Sequence, residues 1–321
     1  MKRAILIIIT VAVLSAITGC GRKNKSAVMQ NKDEKINITA SIFTPYDFVR
    51  QIAGDRVNLS MLLPPGSESH SFEPSPRDII TIQNSDIFIY IGGESEKWID
   101  RILESINADK MDILVLMEAV DIVEEEIVEG MEDDDEDHDD FDHEEIAYDE
   151  HVWTSPKNAI LIVEAITERL CIADTANAPF YRQNAQAYIS SLEELDAVFR
   201  GVVDGAKRNT IVFGDRFPFR YFADTYALQY YAAFPGCSTE TEPSAATVAF
   251  LVNKIREEQI PVVFHIELSS ERMADTVSEE TGAKKLLLHA CHNISKRDFD
   301  AGLGYLELMR QNVENLREAL Y

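Results

Sequence analysis

The sequence predicts an α/β protein of two lobes, each a mostly parallel sheet flanked by helices, joined by a long rigid helix like the halves of a clamshell. Three observations carry this expectation. Residues 36–117 set four short apolar runs in alternation with three helical patterns, the βα rhythm of a parallel sheet covered by helices. Residues 209–320 repeat that alternation. Between them, Asn177 to Val203 carries one apolar stripe through Ala187, Tyr188, Leu192, Leu195 and Phe199, and as a helix it would run about 40 Å.

The chain opens on a targeting signal. Lys2 and Arg3 precede an apolar run, Ala4 to Ile17, that is short for a membrane span. It ends in Ile17-Thr18-Gly19-Cys20, which resembles a bacterial lipobox and marks Cys20 for lipid attachment. A plain secretory signal with a coincidental cysteine is the alternative. Residues 1–19 are thus expected to be removed, and residues 20–35, polar and basic, to act as a tether. The protein is expected outside the cytoplasmic membrane, held to it by acyl chains.

The first lobe is expected over residues 36–176. Ile36–Phe43, Val57–Leu63, Asp86–Ile91 and Asp112–Met117 read as strands; Pro45–Ala53, Arg77–Gln83 and Lys97–Ile106 read as helices. Ser155 and Pro156 suit the N-cap and first position of a helix running to Ala173. The linking helix occupies residues 177–206 and the second lobe residues 207–321. There Asn209–Phe213, Leu228–Ala233, Ile260–Ile266 and Lys284–His289 read as strands. Pro218–Tyr226, Pro243–Glu258, Ser270–Thr281 and Leu303–Leu320 read as helices.

Charge narrows the function. The net charge of −26 argues against nucleic acid and anionic membrane surfaces as partners. It is concentrated in Glu124 to Glu150, which holds 17 Asp and Glu and no Lys or Arg, so this stretch is expected to stay solvated. Within it, His138 and His143 make a weak cation-attracting loop.

Three histidines stand where ligands gather in open α/β sheets, beyond the strand ends. His70 lies in a proline-stiffened loop, Pro64 to Pro76; His151 precedes Val152-Trp153-Thr154-Ser155-Pro156; His289 ends the last strand. If the lobes face each other, their neutral imidazoles could hold zinc. Otherwise His151 or His289 merely closes a strand end. His265 and Glu267, two apart, share one side of a strand, and His292 reads as an exposed neighbour of Cys291. Cys171 reads as a buried thiol. Cys237 and Cys291 lie in loops; in an oxidising compartment a disulfide between them is favoured over soft metal ligation.

The run from Pro64-Pro65-Gly66 to Pro76, with Asp149-Glu150-His151-Val152-Trp153-Thr154-Ser155-Pro156-Lys157-Asn158, resembles the zinc and manganese solute-binding lipoproteins of bacterial ABC importers (cluster A-I) over nearly all of residues 36–321. The resemblance implies that His70 and His151 bind the metal in a cleft between two lobes. The family's third histidine begins a run matched here by Arg216-Phe217-Pro218-Phe219-Arg220-Tyr221-Phe222, so Arg216 stands in its place, and a guanidinium is no metal ligand. The family's acidic ligand after the last strand corresponds here to His289. The implied set is His70, His151 and His289, with the fourth place open to water, Cys291, Cys237 or Glu267. Arg216 would pair with Asp215 or Glu240, or rim the cleft.

The resemblance implies a high-affinity zinc carrier, with manganese the alternative cation. Its partners would be a membrane permease and, through Cys20, the membrane itself, and it would work as a monomer. A manganese or iron importer component and a surface adhesin are the other readings. A lipid-anchored metallohydrolase would need an H-E-x-x-H helix or a general base beside the histidines, and the sequence offers neither.

Overall fold

The computed structural model describes residues 35–68, 72–131, 147–238 and 243–321. Cys20, His70, His138, His143 and Glu240 lie outside these residues. The first sheet comprises β1 (Asn37–Ala40), β2 (Asn58–Met61), β3 (Ile87–Tyr90) and β4 (Asp112–Val115). Its order is β2-β1-β3-β4, and every pair is parallel. Helices α1 (Phe43–Ala53), α2 (Pro76–Gln83) and α3 (Lys97–Ser105) cover it.

Each element follows from its residues. The strand expected to run to Phe43 stops at Ala40, because Phe43 already opens α1. Pro45 is tolerated at the third helical position, where its missing N–H has no intrahelical partner. Ser75 caps α2, accepting from the Asp78 amide while Asp78 accepts from the Ser75 amide. Ser155 does not cap in this way; its hydroxyl bonds Thr225 at 2.8 Å, and Pro156 starts α4 (Pro156–Ala173).

Helix α5 (Ala178–Asp204) follows, 27 residues long and close to the expected span. The second sheet comprises β5 (Thr210–Phe217), β6 (Gln229–Pro235), β7 (Val262–His265) and β8 (Lys284–Leu287). It repeats the topology, in the order β6-β5-β7-β8, again all parallel. Helices α6 (Arg220–Tyr226), α7 (Ala245–Glu258), α8 (Arg272–Thr281), the unforeseen α9 (Lys296–Asp300) and α10 (Tyr305–Leu320) complete it.

One apolar cluster runs through both halves. It takes in Ile38, Phe48 and Ile89 from the first sheet region, Tyr181, Leu192 and Phe199 from α5, and Phe213, Phe264 and Leu316 from the second. Asp47 on α1 adds a polar tie, accepting the Tyr305 amide of α10 at 2.7 Å. Among the described residues no helix is long and apolar enough to cross a membrane.

The disulfide expected between Cys237 and Cys291 is not formed: Cys171, Cys237 and Cys291 are all free thiols. Cys291 is sealed in the core at 0% exposure, whereas Cys237 sits on the turn after β6, its amide bonded to Glu125 at 2.9 Å. Cys171 is buried, as expected.

A second buried acid stands beside β3. Glu96 accepts from the amides of Ile91 at 2.6 Å and Gly92 at 3.4 Å. Burial pushes its carboxyl up to about 7, against an ordinary value of 4.5. The stability that Glu96 contributes is therefore full below pH 4.5 and is lost as pH rises through about 7. Glu96→Gln should flatten the decline of unfolding free energy across that window, read from urea titrations at successive pH values. An unchanged slope would assign the decline to other groups.

Candidate metal centre

Both sheets change winding direction at one place, between β1 and β3 in the first and between β5 and β7 in the second. Crevices beyond the strand ends at such points collect ligands. A cavity of about 20 Å³ lies there, walled by Glu68 after β2, His151, Arg216 on β5, Gly236 after β6, Glu267 after β7 and His292 after β8. It has room for one ion or one water.

His151 is held from two sides. Its backbone amide donates to Asp149 Oδ1 at 2.8 Å, and its ring Nδ1 lies 3.1 Å from the same oxygen. A carboxylate on Nδ1 fixes the tautomer in which Nε2 carries the lone pair, the arrangement found behind metal-binding histidines. Burial opposes charge on this ring, but Asp149, Glu150 and Glu125 outweigh it and hold its pKa above the ordinary value. Gly236 makes room for it: a Cβ there would stand 2.8 Å from the Phe217 carbonyl and 3.3 Å from His151 Cε1.

His292 is the second imidazole. Its ring centre is 5.5 Å from that of His151, with the planes at 79°. Two imidazoles on one tetrahedral zinc, each with N–Zn of about 2.0–2.1 Å, would set their ring centres about 5 Å apart. The pair therefore suits one such ion. Trp153 stands against both rings, with centroids at 5.6 Å and 5.1 Å. Its indole N–H donates to the Ala290 carbonyl at 2.7 Å.

His292, and not the expected His289, lines the cavity. Strand β8 stops at Leu287. Beyond it the chain turns through Cys291, which adopts a left-handed φ of 59°, and His292 comes to face the cavity. His289 does not line the cavity; Asn312 takes its backbone N–H and C=O, each at 2.7 Å. Burial lowers the pKa of its imidazole, partly offset by a hydrogen bond with Gln311.

The other expected residues divide. Glu267 lines the cavity, but its two oxygens accept the amides of Ala290 at 2.7 Å and His292 at 3.0 Å. It thereby frames the loop that carries His292. Burial pushes its carboxyl up to about 7. Cys237 and Cys291 do not line the cavity, and burial drives both thiols well up. His265 is half-buried, with Nδ1 3.2 Å from the Ile266 carbonyl.

Arg216 does line the cavity, but Asp215, one of the carboxylates expected for it, does not take its guanidinium. Asp215 accepts its backbone amide instead, at 2.8 Å. The guanidinium reaches Glu68 Oε1 at 3.2 Å and the Ser238 carbonyl at 3.2 Å. Among the described residues no three His, Cys, Asp or Glu side chains are gathered around one point. The described part of the centre is thus a framed pair of imidazoles.

Comparison with known proteins gives concordant results. The family described as zinc-uptake complex component A, periplasmic, matches residues 38–319. The high-affinity zinc uptake system protein ZnuA of Bacillus subtilis is 32% identical over 305 residues, 95% of this chain and 93% of that protein. The zinc-binding lipoprotein AdcA of Streptococcus pneumoniae is 30% identical over 319 residues; the match spans 99% of this chain but only 61% of AdcA. The crystal structure of the Zn(II)-bound ZnuA-like domain of S. pneumoniae AdcA superposes with a TM-score of 0.72. It covers 89% of this chain and 99% of that domain, at 29% identity.

Proposed function

The chain belongs to the zinc-uptake complex component A family, and from that premise we propose that it captures zinc outside the cytoplasm and hands it to an ABC importer. His151 and His292 supply two imidazoles from the described residues, and His70 is the third. In this assignment His292 stands in place of the expected His289. The observation that carries the reading is the 5.5 Å pair of imidazoles, one of them backed by Asp149, in a cavity of about 20 Å³.

That volume also bears on the hydrolase reading. A metallohydrolase needs space for a substrate beside its metal and a base poised over it. Among the described residues the enclosed part of the cavity has room for about one ion or one water, and Glu267 spends both oxygens on backbone amides. A carrier needs only a site that holds a cation and can give it up. Nitrogen-rich donors favour zinc over manganese. The lipobox-like run ending at Cys20 supports a lipid anchor, and we infer that the carrier works as a monomer.

The test is calorimetry on the soluble chain after chelator treatment. One zinc per chain should bind tightly and resist competition by manganese, and a chain lacking residues 132–146 should keep that site. Absence of a tight zinc, or its loss with the deletion alone, would overturn the assignment.

A further inference from the structure

We propose that Arg216 and Glu68 form a latch that ties the turn over the metal cavity to the second sheet without help from a metal. Arg216 is then the positioning residue that governs how fast the cation leaves. The proposal rests on the zinc-carrier reading above.

A guanidinium has no lone pair to give a metal, so its presence in the cavity wall needs another account. Arg216 lies at the end of β5, its side chain only 8% exposed. Its Nη2 donates to Glu68 Oε1 at 3.2 Å and its Nη1 to the Ser238 carbonyl at 3.2 Å. Glu68 belongs to the turn after β2, in the first half; Arg216 and Ser238 belong to the second. A buried charge is tolerated when partners with good geometry meet its donors, and here those partners come from both sides of the cavity.

The same turn is stitched down by neutral bonds. Asn293 Nδ2 donates to the carbonyls of Pro64 and Ser67, each at 2.8 Å, and the Gly66 amide donates to the Ile294 carbonyl at 2.8 Å. His151, His292, Arg216 and Ala290 are buried, whereas Ser67 and Glu68, like Glu267 and Leu268 across the cavity, are only half-buried. The turn is therefore one solvent-facing side of the cavity. A cation leaving past it must wait for the ion pair and these bonds to part. Because no bond of the set involves a metal, the turn is already seated when the cavity is empty.

Release of zinc from the loaded chain into excess chelating dye, followed by stopped flow, tests this. Glu68→Gln and Arg216→Gln should each release zinc about five- to tenfold faster. The double variant should be no faster than the quicker single one, since both remove one interaction. Arg216→Lys should recover part of the loss, and the visible spectrum of the cobalt-loaded variants should match wild type. Release that is unchanged or slower in Arg216→Gln overturns the latch, as do additive effects. A changed cobalt spectrum in Glu68→Gln would instead make Glu68 a ligand. A metal-free measurement stands apart from the carrier reading: hydrogen exchange at the Gly66 amide should quicken in Arg216→Gln before any zinc is added. Unaltered exchange there overturns the latch even if zinc binds as expected, while a wild-type chain that takes no zinc overturns the carrier reading alone.

Discussion

Replacing His151 and His292 together with alanine should lower zinc affinity by about four orders of magnitude or more. Structural zinc sites are worth about 10–16 kcal/mol in all, so each of four ligands carries about 3–4 kcal/mol. Either single substitution should cost about 10²- to 10³-fold on the same reckoning. His289→Ala is the control. Its ring is outside the cavity wall, so affinity should stay within about threefold, inside the usual range for a residue that touches no ligand. Competition against a zinc-binding dye reads all four proteins, and far-ultraviolet circular dichroism checks the fold. Tight binding by the double variant would remove the centre from this cavity; a large loss in His289→Ala would restore the ligand set expected from sequence.

Trp153→Ala should be the most damaging single change to stability, at about 3–5 kcal/mol. The side chain is wholly buried. Its indole N–H satisfies the Ala290 carbonyl, and its own backbone carbonyl accepts the Tyr305 hydroxyl of α10 at 2.7 Å. Truncation leaves a void, an orphaned carbonyl and two histidines without the ring that backs them. Trp153→Phe separates these effects. It keeps most of the volume and loses the hydrogen bond, at about 1 kcal/mol or more. Urea unfolding of both variants decides the matter. A loss below about 1 kcal/mol for alanine would mean that the void collapses at little cost.

The fold was legible because its signals are periodic. Apolar alternation located all eight described strands to within a few residues, and the stripe from Ala187 to Phe199 located α5. His151 was legible because its neighbours Trp153, Ser155 and Pro156 form a recognisable run. His292 was not. Its approach to the cavity depends on a left-handed Cys291, a conformation that a non-glycine residue does not advertise, and on Glu267 and Asn312 clamping the loop. Glu68 carried no signal of its own in the Pro64 to Pro76 run. Its role appears only when Arg216, far away in sequence, arrives opposite it. The disulfide failed for a similar reason: compartment and loop position favour pairing, but only packing reveals that Cys291 is sealed inside.

The single interior that runs from Ile38 through α5 to Leu316 has a mechanical corollary. Hinging the halves apart as rigid bodies would flood that shared interior with water, at about 25 cal/mol for every Å² of apolar surface wetted. Such a cost confines motion to the rim, where a short segment can lift while the body stays whole. Discharge of the cargo would then be a local event driven by whatever docks against that rim, and the importer would unfasten a strap instead of opening a jaw.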